Sequence, residues 1–107
     1  MDYLLLICAE QSAVERHADG CGDWYEEMHR RGVLRTAAGL RPPWEATTVR
    51  SRGDDIVLFD GPFAETTEGV GGFCLISCED LDEAIEVAGK HPAARYGSIE
   101  IRALHGG

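Results

Sequence analysis

Positive charge is scarce in this chain. Its 107 residues carry 10 Lys and Arg against 19 Asp and Glu, a formal net charge of −9 at pH 7. A nucleic-acid surface needs clustered basic side chains to displace counterions from phosphate, so this balance argues against nucleic acid and against anionic membranes as partners. The carboxylate excess reads as a solvated surface in preference to an acidic docking face. Long apolar runs are also missing: a membrane-spanning helix needs about 20 such residues, and no stretch approaches that length. Met1-Asp2-Tyr3 lacks the basic region that opens a signal peptide. These absences predict a cytoplasmic protein whose four cysteines, Cys8, Cys21, Cys74 and Cys78, are reduced thiols. Repeats, linkers and low-complexity tracts are absent too, and the length suits one domain over residues 1–107.

A compact cluster of His and Cys is the next absence. Cys74 and Cys78 fall on a predicted strand, where four residues span about 13 Å. That is too far for one zinc ion or for a disulfide. Asp60, Glu65 and Glu68 lack the regular ligand spacing of a calcium loop. The expectation is a protein with no metal and no cofactor.

What is present is a regular alternation of elements. Tyr3, Leu5 and Ile7 mark one face of a first strand, and Leu4, Leu6 and Cys8 mark the other. Ser12 and Glu15 have the spacing of a capping box, which predicts a helix over about 12–31, broken near Gly20 and closed by Gly32. Val33–Ala38 reads as a second strand, followed by a double-proline loop, Gly39–Trp44. Thr47–Arg50 and Ile56–Phe59 read as a hairpin turning at Arg52-Gly53-Asp54. Residues 65–72 read as a loop ending in paired glycines, and Phe73–Cys78 as a strand apolar on both faces. Asp80 and Glu83 predict a second capping box, with Leu81, Ala84, Ile85 and Ala88 as the buried stripe and an end before Pro92. Ile99 and Ile101 alternate with Glu100 and Arg102 in a half-buried last strand. The order β-α-β, hairpin, β-α-β is that of an α+β, ferredoxin-like unit with an inserted β-hairpin. Its helices can cover only one sheet face, so a second copy of the chain is the expected cover for the other.

The segment Asp60-Gly61-Pro62-Phe63 sits where the apolar run Ile56–Phe59 must stop, because Gly and Pro enforce a turn. A carboxylate delivered there, if desolvated, can accept a proton or a hydrogen bond. The same carboxylate can simply serve the turn, and that is the heavier reading. Phe63 and Glu68 from this loop, with Arg41, Trp44, Trp24 and Arg50, are candidates to line a cleft beside Asp60. An Arg among aromatic rings suits a small anionic or planar ligand. Of the histidines, His17 lies on the apolar stripe of the first helix, His29 near its end, His91 beside Pro92 as a helix cap, and His105 in the tail.

The tetrapeptide, together with Tyr3–Ile7, Gly39–Pro43, Ala46–Arg50, Gly71–Phe73, Asp80–Ala84 and Pro92–Gly97, resembles the YCII-related family, also called the DGPF-domain family. The resemblance implies a dimeric α+β barrel. It also implies, for some members, a His on the first helix paired with an Asp in acid–base chemistry. The equivalent position here falls near Cys21, with His17 one turn earlier. Members encoded beside extracytoplasmic-function sigma factors imply a regulatory partner. The leading expectation is a homodimer that binds a small molecule or a sigma-factor partner. The alternative is an acid–base enzyme of lyase or isomerase type, using Asp60 and His17.

Overall fold

The computed structural model describes residues 1–17, 20–62 and 67–106. In chain order the elements are β1 (Asp2–Ala9), α1 (Gln11–Arg16), α2 (Gly22–Arg30), β2 (Leu34–Gly39), a 3₁₀ turn (Pro43–Glu45), β3 (Thr47–Arg52), β4 (Asp55–Asp60), β5 (Gly69–Ser77), α3 (Leu81–Gly89), α4 (Ala93–Tyr96) and β6 (Ser98–Ala103). Four strands form an antiparallel sheet in the order β2-β5-β1-β6, and β3 and β4 form a separate hairpin. Each helical crossover therefore spans one intervening strand, which is the ferredoxin-like arrangement, with the hairpin inserted between β2 and β5.

The helices cover the face carrying Tyr3, Leu5, Cys74, Ile76 and Cys78, which packs on Trp24 and Met28 of α2 and on Ala84, Val87 and Ala88 of α3. Full burial of a large apolar side chain such as Leu5 or Ile76 contributes about 1.5–3 kcal/mol. The opposite face carries Leu4, Leu6, Cys8, Phe73 and Leu75, all only half-buried. Both predicted strand faces are therefore apolar, and among the described residues no helix lies over the second.

Several local signals act as expected. The first helical segment breaks at Gly20: α1 ends at Arg16 and α2 begins at Gly22. Gly32 ends α2 at φ +73°, and the Gly32 and Val33 amides donate to His29 and Met28 carbonyls in a Schellman closure. Asp80 caps α3, its carboxylate accepting from the Glu83 amide at 2.9 Å.

Others differ for physical reasons. Ser12 is not a cap: the Ala13 and Val14 amides already donate to the Glu10 carbonyl, so α1 closes its first turn before the serine. Gly71-Gly72 is not the end of a loop but part of β5. A Cβ on Gly72 would meet the Ala38 carbonyl oxygen at 3.0 Å, so glycine lets β2 approach there. On α3, Leu81 and Ile85 are 51% and 53% exposed. The buried arc centres between Val87 and Ala88, because Val87 receives the Trp24 indole, and it leaves those two on its flank.

Candidate functional site

Asp60 closes β4, exposed and opposite Thr47. Among the described residues the bonds that hold the turn after it do not use its carboxylate. Gly61 adopts φ +119°, its amide donates to the Ala46 carbonyl at 2.7 Å, and the Thr48 hydroxyl donates to the Gly61 carbonyl at 2.7 Å. Phe63 and Glu65 lie outside the described residues, and Glu68 is exposed just ahead of β5. Arg41 is exposed and turned onto its own loop, donating to both carboxylate oxygens of Glu45 at 3.2 and 3.0 Å. Trp44 is 66% exposed. Trp24 is a core residue, 5% exposed, with its indole N–H donating to the Val87 carbonyl at 2.9 Å. Of the expected cleft residues, Trp24 belongs to the core and Arg41 is paired with Glu45, while Asp60 and Trp44 are exposed.

A different cleft, about 180 Å³ in volume, opens between the sheet and the helix ends, and among the described residues it takes only His17 of the expected site. Ile7 of β1 and Val14 of α1 supply apolar wall. Gly39, Gly71 and Gly72 from β2 and β5 supply a floor of bare backbone. At one side His17 lies on Tyr96 of α4, ring centroids 4.2 Å apart and planes 11° from parallel. Gly97 brings the end of α4 close to β1, since a Cβ there would collide with the Cys8 carbonyl and Ala9.

His91 also lines the cleft, and it is only 2% exposed. Its Nδ1 accepts the Ala93 amide at 3.0 Å. That bond makes Nδ1 the unprotonated nitrogen and puts the proton on Nε2. Among the described residues nothing meets the buried Nε2. The ring stands edge-on to Trp24 at 4.7 Å and to Tyr25 at 6.0 Å. Burial lowers the His91 pKa below 6.5, which keeps the ring neutral.

The part-buried hydroxyls and thiol of the cleft are held neutral as well. Burial pushes the Tyr25 hydroxyl far up, and the neighbouring Cys74 thiol adds to this. Burial also raises Cys21 and Tyr96. A thiol shifted upward is a poor nucleophile at neutral pH, so Cys21 does not have the environment of a reactive cysteine. Among the described residues the lining contains no Lys, Arg, Asp or Glu. No group of three or more metal-ligating side chains occurs among them either. Sequence reasoning missed Tyr25 and Tyr96 altogether and read His91 as a helix cap. The nearest signal for His91 was a His-Pro pair ahead of a one-turn helix.

The family model for the YCII-related domain matches residues 1–105. The chain belongs to the YCII-related family. It is 43% identical over 75 residues to the uncharacterised protein R00369 of Rhizobium meliloti (strain 1021), an alignment covering 68% of this chain and 60% of that protein. The fold is similar to that of 5-chloro-2-hydroxyhydroquinone dehydrochlorinase (TftG) from Burkholderia phenoliruptrix AC1100, solved in complex with 2,5-dihydroxybenzoquinone. That similarity has a TM-score of 0.58 and 11% identity, and it covers all of this chain and 96% of the other. At this identity it shows the shared fold. Among the described residues no helix is long and apolar enough to cross a membrane.

Proposed function

We propose that this YCII-related protein binds a small, flat, ring-sized molecule in the cleft beside His91 and acts as a homodimer. The observation that carries the reading is the cleft itself, a space of about 180 Å³ with apolar walls, a glycine floor and a stacked His17–Tyr96 pair at its side. A cavity of about 150 Å³ accepts a benzene ring. Ligand sites are typically apolar spaces with a few convergent polar groups, and this one has that character. TftG, the protein of similar fold, holds a six-membered quinone ring, which supports a ligand of that size.

The homodimer rests on the sheet face of Leu4, Leu6, Phe73 and Leu75, which no element of the same chain covers among the described residues. Binding is favoured over acid–base catalysis by Asp60 and His17, because Asp60 does not reach the cleft lining and no other described carboxylate does.

The test is titration of the ¹⁵N-labelled protein with acetophenone, an uncharged ring compound, followed by amide shifts. Saturable shifts confined to Ile7, Gly39, Gly71, Gly72 and the segment around His91 are expected. Shifts elsewhere, or none up to millimolar probe, would refute the reading.

A further inference from the structure

His91 poses a specific physical question. A buried donor without an acceptor costs about 1–3 kcal/mol, and such groups are rare in folded proteins. The residue is 2% exposed, its Nδ1 is committed to the Ala93 amide, and its Nε2–H meets no acceptor among the described residues. It borders the cleft.

Tyr25 borders the same cleft, and its ring stands perpendicular to that of His91, 89° between planes. The Tyr25 hydroxyl oxygen receives only a long contact from the Cys74 thiol at 3.9 Å. Its own proton is committed to no oxygen or nitrogen acceptor among the described residues. Both donors thus belong to residues that border a space whose described lining has no Lys, Arg, Asp or Glu to attract a charged ligand. Paired neutral donors in apolar surroundings are how proteins hold a carbonyl oxygen, where the hydrogen bonds gain strength from the low local dielectric.

We infer that the His91 Nε2–H and the Tyr25 hydroxyl form a two-donor seat for the carbonyl oxygen of a small uncharged ring compound. This rests on the binding reading above and names the class of ligand. The ring lies over the glycine floor, and the oxygen points inward to His91 and Tyr25. A ring without an acceptor leaves both donors unsatisfied and is discriminated against, as polar sites reject analogues that lack the matching group. The nearest ring to His91 is that of Trp24, with centroids 4.7 Å apart and planes at 68°, and an N–H···π contact is the competing use of the donor. Such N–H···π contacts are weak.

The experiment compares acetophenone with ethylbenzene, two probes of similar shape that differ in the carbonyl oxygen. Affinities are measured by NMR titration of the native protein, His91→Phe and Tyr25→Phe. The native protein should prefer acetophenone by about tenfold, the scale of one to two net hydrogen bonds. Each variant should reduce that preference to about threefold or less. The His91 Nε2–H resonance should move downfield with acetophenone and stay in place with ethylbenzene. His91→Phe also removes the acceptor for the Ala93 amide and lowers stability, so Tyr25→Phe carries the same comparison independently. Equal affinity for the two probes, or an Nε2–H resonance unmoved by acetophenone, overturns the donor seat while leaving a ring-binding cleft in place. Full discrimination in a folded His91→Phe protein overturns the part assigned to His91. Failure of both probes to bind overturns the seat together with the reading on which it rests.

Discussion

The His17 imidazole lies flat on the Tyr96 ring, with centroids 4.2 Å apart, and so ties the end of α1 to α4 across the side of the cleft. The contact joins residues far apart in sequence at the point where α1 breaks and α4 ends. Stacked aromatic pairs contribute about 0.5–1.5 kcal/mol, and exposure of His17 puts this one toward the lower end. His17→Ala is expected to lower stability by no more than about 1 kcal/mol. Its larger effect should be on the cleft, with ring-probe affinity falling several-fold because one wall is lost. Urea denaturation and probe titration on the same samples separate the two effects. Unchanged probe affinity would remove the stacked pair from the site.

Trp24 offers the opposite case, a large aromatic whose role is structural. Its indole N–H donates to the Val87 carbonyl inside the core. Trp24→Phe removes that bond, worth about 0.5–1.5 kcal/mol, while the Val87 carbonyl keeps the Lys90 amide at 3.3 Å, and it adds a packing loss. The expected result is a clear fall in the urea midpoint with the preference between ring probes retained. A fall below about 0.5 kcal/mol would show that the bond contributes little.

His91 should leave a signature in the pH dependence of stability. Its folded pKa is depressed by burial below 6.5, so between that value and 6.5 the unfolded chain binds a proton that the folded chain refuses. The contribution of His91 is fully present above pH 6.5. It is lost as pH falls through this window and changes no further once both states are protonated. Native protein and His91→Phe share every other titrating group. The difference between their stabilities, measured from pH 7.5 down to 5, should therefore shrink as the pH falls. A difference independent of pH would mean that the folded state accepts the proton at no cost.

Asp60 is expected to tolerate replacement. It is exposed at the end of β4, and among the described residues the bonds that hold the following turn come from Gly61, Ala46 and Thr48. Asp60→Asn should change stability by less than about 0.5 kcal/mol, as ordinary surface substitutions do, and leave probe affinity within twofold. A large loss of binding in a folded Asp60→Asn protein would instead place this carboxylate at the site, delivered by a second copy of the chain.

These contrasts show which parts of the molecule the sequence discloses. Strands declare themselves through Tyr3–Cys8 and Phe73–Cys78 because burial on two faces requires continuous apolar runs. Gly32 and Asp80 declare helix ends because capping is local chemistry, settled within a few residues. Ser12 misleads because the exit of the chain from β1 closes the helix at Glu10 first. Gly71-Gly72 misleads because its reason is the approach of β2, a tertiary fact. The cleft is the extreme case. His17, Tyr25, Gly71 and His91 share it only after the sheet order has brought separate segments together. The most legible motif, Asp60-Gly61-Pro62-Phe63, advertises a turn, and turn chemistry is visible whether or not a ligand is near.

The sheet gives the most direct test of assembly, because the structure fixes which leucines point where. Leu5 is fully buried beneath the helices, whereas Leu4 and Leu6 are half-buried on the uncovered face with Phe73 and Leu75. Val49 of β3 and Ile56, Val57, Leu58 and Phe59 of β4 are exposed as well. An uncovered apolar area on this scale marks an association surface, and a two-fold arrangement lets one patch cover its own copy. Leu4→Asp places a carboxylate on that patch without entering the core. It should convert a dimer to a folded monomer by multi-angle light scattering, with circular dichroism unchanged. Leu5→Asp buries an unpaired charge in the core and should unfold the chain outright. The pair of outcomes is what the two faces demand. A native protein that is monomeric at tens of micromolar, or a Leu4→Asp variant that stays fully dimeric, would mean that the open face is not the interface.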